Sequence, residues 1–246
     1  MNISLLNYTG MGCDEKVAPA ILIFTKNTRL EMKANAFSEV LKMPWAEIQE
    51  ELEYMSNTIP SSWEFIDYTF VIEGVTRAFT HQFVRNRTGS YAQQTMRVLN
   101  VSGFEYLAGP SIKKDATLEK CYQNQMAAIN DMYSFLIDNG AQIQDARGVL
   151  PTNIKTNIVA KFNLRTVAEI AAKRASPRTQ GEYRDVLDKM ISAVLEVHPW
   201  AELFLRNKKI DAAKRLDTFI KEVYEKHPMS ADYKTNLLKA VDLLRQ

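Results

Sequence analysis

The sequence predicts an α+β fold: a small mixed or antiparallel sheet with helices on one side, followed by a helical second half. Three observations lead there. From Glu64 the apolar residues take period two, with Ile66, Tyr68, Phe70 and Ile72 on one face and Asp67, Thr69 and Glu73 mostly on the other, which is a half-exposed strand. Ile3 to Tyr8 is short, apolar and partly β-branched and runs into Thr9-Gly10-Met11-Gly12, an opening strand and turn. Much of the remainder reads at helical period, including an unbroken stretch from about Thr117 to Ile137.

At 246 residues the chain suits one domain with a helical extension, and we place the main domain at 1–206 and a C-terminal helical extension, packed on the same domain, at 207–246. The apolar fraction of 46% and charged fraction of 24% are those of an ordinary globular protein. A net charge of +2 is too small to argue for nucleic-acid binding by itself. Cys13 and Cys121 lie far apart without metal or CxxC spacing, so both read as free thiols of a reducing compartment. The N-terminus lacks a basic region followed by a long apolar one, and no run of eighteen apolar residues occurs. The expectation is a cytoplasmic protein with no membrane partner.

The glycine pair Gly10 and Gly12 lacks the third glycine of a dinucleotide fingerprint, because Glu15 stands there. A helix beginning at Asp14 or Glu15 carries Ala18, Ile21, Leu22 and Phe24, and Thr28 reads as the N-cap of a next one bearing Leu30, Ala34 and Phe37. Pro44 opens a helix through Met55, with Trp45, Ile48, Leu52 and Met55 at helical spacing. Pro60-Ser61-Ser62 breaks the pattern before the alternating strand, which Gly74 is expected to end. Helical spacing returns over Val75 to Arg85, and Val98 to Tyr106 is expected to form a further strand before Gly109-Pro110. The helix from Thr117 presents Leu118, Tyr122, Met126, Ile129, Tyr133 and Leu136, and Asn139-Gly140 stops it. Past Arg206 come charged amphipathic helices, with Tyr233, Leu237 and Val241 expected to pack them onto the body or a partner.

The chemistry gathers at Thr80 to Val98, THQFVRNRTGSYAQQTMRV. Arg77, Arg85, Arg87 and Arg97 lie in or just before it, with Gln82, Asn86, Ser90, Gln93, Gln94 and Thr95 interleaved and almost no acid to neutralise them. Guanidinium forks grip phosphate and planar carbonyl groups, and amides and hydroxyls read the edge of a heterocycle. Gly89 permits a tight turn inside the stretch. No Walker loop, HExxH or GxSxG is present, and none of His81, His198 and His227 stands where a triad can be argued. Such a set binds anions and stabilises developing negative charge, so difficult bond-making falls to a bound cofactor.

Arg85-Asn86-Arg87, Ser90, Gln93, Thr95 and Arg97 resemble the signature of the flavin-dependent thymidylate synthases, the ThyX family, in the manner of a divergent, phage-like member. That signature reads RHR, two residues, Ser, then a polar run ending in Ser-x-Arg-Tyr, and Gln82-Phe83-Val84-Arg85 fits its lead-in. This sequence departs from it at Asn86 for His, Thr95 for Ser and Val98 for Tyr. Further on, Ala146-Arg147-Gly148-Val149-Leu150-Pro151, then Asn163-Leu164-Arg165, then Arg174 followed by Gln180-Gly181-Glu182 resemble the family's second-half elements. The two blocks together cover roughly Ser61 to Phe204.

The resemblance implies a ThyX-like fold, with 1–206 as the catalytic domain, and an enzyme that methylates C5 of dUMP using FAD, NADPH and methylenetetrahydrofolate. It implies a homotetramer with active sites built between subunits. Gln82, Arg85, Gln93, Gln94, Thr95, Arg97 and Arg147 would hold the nucleotide. Arg174 would be the catalytic residue, set against the uracil N3–O4 edge and stabilising its anionic form. Ser61, Arg85, Asn86, Arg87, Gln93, Asn163 and Arg165 would contact FAD, with Glu169 beside them where the family more often carries a neutral or basic side chain.

Plainer roles stand beside these. Arg147 suits a helix C-terminus, Asn163 a helix N-cap, Ser61 a turn, and Arg165 and Arg174 the outer face of an amphipathic helix. The departures at Asn86 and Val98 keep open a related pyrimidine nucleotide hydroxymethylase acting on dUMP or dCMP. The rival from another class is a non-enzymatic nucleic-acid-binding module. Against it stand the low net charge and a loop with only Phe83 and Tyr91 as stacking platforms, so no nucleic-acid partner is expected.

Overall fold

A computed structural model describes residues 1–30, 36–174, 179, 181–205, 216–224 and 231–244. Two compact units emerge, Met1–Asn7 with Tyr68–Phe162, and Tyr8–Asp67 with Asn163–Gln246.

The first unit is built on a four-stranded sheet of order β1-β2-β4-β3, where β1 is Asn2–Tyr8, β2 Asp67–Thr76, β3 Ser90–Gln93 and β4 Lys155–Asn163. The alternation in the sequence is the alternation in space: Tyr68, Phe70 and Ile72 of β2 are fully buried, as are Ile158, Ala160 and Phe162 of β4 to within about one percent. β2 continues to Thr76, so Gly74 does not end it; Gly74 instead takes φ +66° inside the strand, its N–H donating to the Asn157 side chain at 3.0 Å.

Helix α4, Arg77–Phe83, starts because the Thr76 hydroxyl accepts from the Phe79 N–H, and it buries Phe79 and Phe83. Burying one such phenylalanine is worth about 1.5–3 kcal/mol. The stretch expected as a strand, Val98 to Tyr106, is not one. Its backbone donors go to a neighbouring helix, Val101 N–H to the Tyr133 hydroxyl and Gly103 N–H to the Asn130 side chain, and only the isolated bridge Tyr106–Ile154 remains. That neighbour is the long helix Ala116–Asp138, capped by Asp115 and closed at Gly140 with φ +85°. Of its expected stripe, Met126 and Tyr133 are buried while Leu118 is 53% exposed. The short helices Pro110–Lys113 and Ile143–Ala146 flank it in sequence and complete α5, α6 and α7.

In the second unit α1 is Val17–Leu30, α2 Ala36–Leu41 and α3 Trp45–Thr58. Thr28 is therefore inside α1, its hydroxyl donating back to the Thr25 carbonyl, and not an N-cap; Ala34 lies outside the described residues. Ile48, Leu52 and Met55 of α3 are fully buried, but Trp45 is 38% exposed with its indole N–H on Glu15. A 3-10 turn, Pro60–Phe65, leads into β2. Then come α8, Leu164–Arg174, and α9, Gly181–Val197, which bury Val167, Ile170, Tyr183, Val186 and Met190, and α10, Glu202–Leu205. Near the C-terminus α11 (216–224) and α12, Ala231–Leu244, share a small cluster of Ile220 and Val241 with Leu237 and Leu238. Leu237 and Val241 thus pack between α11 and α12 themselves, whereas Tyr233 is 56% exposed.

Candidate active site

In the first unit the arginine loop has a definite frame. β3 pairs antiparallel with β4 in the register Tyr91↔Ala160 and Gln93↔Ile158, so Tyr91 and Gln93 share the buried face of those partners. Gln93 Nε2 there donates to the hydroxyl of Thr80, a fully buried residue of α4, at 2.8 Å. Ser90 and Ala92 point outward.

Between α4 and β3 the chain turns at Arg85-Asn86-Arg87. Asn86 Nδ2 donates to the Phe83 carbonyl at 2.8 Å, Gly89 N–H to the Asn86 carbonyl at 3.1 Å, and the Tyr91 hydroxyl reaches that same carbonyl at 2.7 Å. The carboxamide at the family's histidine position thus closes the turn. Phe83, Tyr91 and Phe162 pack edge to face beneath it, with centroids 5.4–5.8 Å apart. Gly89 is required here by close approach and not by a left-handed backbone, since a Cβ would stand 2.4 Å from Phe162 Cε1. The flanking Arg85 and Arg87 are exposed, as are Gln94, Thr95 and Arg97, and Gln82 is half-buried. No carboxylate among the described residues pairs with Arg85, Arg87 or Arg97. Thr95 shapes the exit from β3 by accepting the Arg97 N–H on its hydroxyl at 3.1 Å.

Arg147 opens a 3-10 turn, Arg147–Val149, directly after α7, and its Nε donates to the Gln144 carbonyl at 3.1 Å. Its charge is felt by Arg77, whose guanidinium is pushed below its ordinary pKa by burial first and by Arg147 second. Arg77 donates from Nη2 to the Gln94 carbonyl at 2.5 Å.

In the second unit the remaining expected residues lie along one stretch of chain and the turn before β2. Asn163 caps α8, accepting the Thr166 N–H at 2.9 Å, so the plain role is filled. Arg165 pairs with Glu64 at 2.7 Å and with Glu169 at 3.1 Å, and these hydrogen bonds, Glu64's first, raise its pKa. Ser61 is half-buried in the Pro60–Phe65 turn. Arg174, the last residue of α8, holds its guanidinium over the Tyr183 ring. Gln180 lies outside the described residues.

Thr80, Glu64 and Tyr183 touch the expected residues and were given no role by sequence reasoning, and Arg77, counted among the four arginines, was given none of its own. Its place as the first residue of α4 emerges only in the structure. Tyr183 had no signal, because it stands in a different helix from Arg174. Among the described residues no cluster able to hold a metal ion occurs, and no helix is long and apolar enough to cross a membrane.

A family model described as thymidylate synthase complementing protein, Thy1, matches residues 5–200. The flavin-dependent thymidylate synthase of Sulfurisphaera tokodaii is 33% identical over 208 residues, 81% of this chain and 75% of that protein. Those of Nitratidesulfovibrio vulgaris and Pyrococcus furiosus are 36% and 37% identical over 57% of this chain, which there spans 60% and 62% of their length. The crystal structure of ThyX from Helicobacter pylori with FAD and dUMP superposes with a TM-score of 0.63, covering 84% of this chain and 99% of that one. At 17% identity that likeness speaks for the fold, and it agrees with the α+β architecture. On the family match and the Sulfurisphaera relative together, the chain belongs to the Thy1 family, that of the flavin-dependent thymidylate synthases.

Proposed function

We propose that the chain is a flavin-dependent thymidylate synthase, transferring a one-carbon unit from methylenetetrahydrofolate to C5 of dUMP with FAD and NADPH. The observation that carries this reading is the loop in which Arg85, Arg87 and Arg97 stand exposed with no paired carboxylate among the described residues. Exposed guanidinium groups of this kind fit a diphosphate or phosphate oxygen set bidentately. FAD supplies the hydride when bound.

The chain's own residues bind, orient and stabilise. Arg85, Asn86 and Arg87 meet FAD, along with Gln93, Ser61, Asn163 and Arg165, with Glu169 at its edge. Gln82, Arg85, Gln93, Gln94, Thr95, Arg97 and Arg147 hold the nucleotide, with Gln93 steadied by Thr80. Arg174 sits at the uracil N3–O4 edge and favours the ring that carries negative charge over the neutral one. Cys13 and Cys121 are free and exposed, and neither is used as a nucleophile. Free thiols suit a cytoplasmic enzyme. Leu118, Met132 and Phe135 of α6 are 51–61% exposed, apolar surface of the kind that association covers, in line with a homotetramer whose sites are completed between subunits. Residues 207–246 are read as a helical extension of the catalytic domain 1–206.

The test is mass spectrometry of products from dUMP and dCMP, each with FAD, NADPH and methylenetetrahydrofolate. C5-methylated dUMP is expected. A hydroxymethylated nucleotide would favour the related hydroxymethylase. A colourless protein that takes up no FAD, and binds DNA with steep salt dependence, would sink the enzyme reading. Arg97→Ala should cost the nucleotide about tenfold or more in affinity and FAD much less.

A further inference from the structure

Arg77 is placed where a residue chosen for stability would not be. It is the first residue of α4, next to the N-terminal partial positive charge. It is half-buried, its Nε is shut away from solvent without a hydrogen-bond acceptor, and no carboxylate among the described residues pairs with it. Burial and the charge of another cation, Arg147, both act against its own charge. An apolar side chain of similar length would avoid all three costs.

What the guanidinium does is hold one peptide. Its Nη2 donates to the Gln94 carbonyl, while the Gln94 N–H donates to the Asn157 carbonyl of β4 at 3.0 Å, so the peptide groups on either side of Gln94 Cα are fixed. Gln94 is the last point at which the loop is tied to the sheet, and Thr95 and Arg97 follow it immediately. The backbone at the start of α4 grips the other polar segment. Arg77 N–H donates to the Ile154 carbonyl at 3.1 Å and Ala78 N–H to the Thr152 carbonyl at 2.8 Å, and residues 152–154 follow, after Leu150 and Pro151, the turn that carries Arg147. Arg77, by side chain and backbone, therefore touches two segments that lie some way apart in the chain.

We propose that Arg77 is a positioning residue of the nucleotide site, aiming Gln94, Thr95 and Arg97 at the same anion that Arg147 serves. This rests on the proposed function and adds to it a residue that touches no ligand itself. Arg77 then acts through Arg97, and its effect is specific to the phosphate-bearing ligand.

The test is a cycle of variants read by dUMP and FAD binding, with deoxyuridine as a probe lacking the phosphate. Arg77→Met should weaken dUMP by about tenfold, as loss of a charge-assisted contact does, while leaving FAD uptake and deoxyuridine binding within about twofold. In an Arg97→Ala background the same change should cost less than about threefold, the non-additivity of residues that act as one. Arg77→Lys, which keeps the charge without the fork, should recover part of the loss and serves if the methionine variant does not fold. Equal losses for dUMP and deoxyuridine, or losses at 77 and 97 that multiply in full, would overturn the positioning role. An unmodified protein that binds neither FAD nor dUMP overturns the proposed function, and this inference with it. One that binds both, with Arg77→Met and Arg77→Lys indistinguishable from it, overturns the inference alone.

Discussion

Arg174 Cζ lies 4.6 Å from the centre of the Tyr183 ring, and that ring is fully buried. The cation is thus seated on a rigid π face at the very end of α8, where its own side chain has many rotamers to lose. A guanidinium held in this way meets a developing anion without first paying for its own ordering.

Arg174→Ala should lower kcat beyond any rise in KM, while flavin reduction by NADPH stays close to normal, because that half-reaction needs no uracil anion. Arg174→Lys should rescue only partly. Tyr183→Leu should lower kcat by roughly threefold to tenfold, the worth of the cation–π contact. Stopped-flow reduction beside steady-state turnover separates the cases. If both half-reactions fall together, Arg174 holds the fold or the flavin and is not the stabiliser of the ring.

Gly89→Ala should destabilise the protein by about 1–3 kcal/mol, because the added methyl meets Phe162 at 2.4 Å and the Tyr91 hydroxyl at 2.8 Å with no slack in the aromatic trio. Gly148→Ala, with nothing within 4 Å of the new Cβ, is the control and should change little. Chemical denaturation midpoints decide it, and equal midpoints for the two variants would show that the turn can yield.

These cases mark what a sequence can and cannot say about such a site. The strand over Tyr68–Ile72 and the helix after Pro44 were legible because one face of each is buried, and burial writes a period into the chain. The arginine loop stood out by its unbalanced charge, and Arg85, Arg87 and Arg97 are exposed without a paired carboxylate among the described residues. Its internal strand β3 was not, since Ser90–Gln93 is short and polar and is a strand only because β4 lies beside it. Val98–Tyr106 failed in the opposite sense: its apolar residues suggested a strand, but its backbone donors are claimed by α6. The seat of Arg174 depends on a tyrosine in a different helix, and the partners of Arg165 include Glu64, about a hundred residues away in sequence. Long-range partners leave no local trace.

His198 offers a pH test independent of catalysis. It is 4% exposed, packed edge-on to Tyr8 at 5.2 Å and against Trp200 at 4.9 Å, and burial lowers its pKa from 6.5 to about 4 despite a backbone hydrogen bond at Thr9. Between these values the unfolded chain binds a proton that the folded chain refuses. Stability from this group is therefore complete above about pH 6.5 and is lost as pH falls towards 4, by no more than about 3 kcal/mol. Urea denaturation from pH 4.5 to 7.5 should show this slope, and His198→Phe should flatten it. An unchanged slope in the variant would assign the acid sensitivity to the carboxylates.

Glu64 decides how available Arg165 is. Arg165 is engaged by Glu64 at 2.7 Å and Glu169 at 3.1 Å, and Lys173 takes the other oxygen of Glu169 at 3.5 Å. All of these side chains are well exposed, so water and salt screen the network and its members exchange partners at little cost. An anionic cofactor approaching Arg165 must compete with Glu64 for the same guanidinium nitrogen. Glu64→Gln removes the competing charge and keeps the shape, so FAD should bind about threefold more tightly, the scale of an exposed ion pair. Arg165→Ala should weaken FAD by about tenfold, and Glu64→Gln should then have no further effect, because the pair is already broken. Fluorescence titration of FAD into the four proteins completes the cycle, with unfolding midpoints checking that none has lost its fold. If Glu64→Gln weakens FAD instead, the ion pair is holding Arg165 in the place that the flavin needs, and Glu64 belongs to the site as its support.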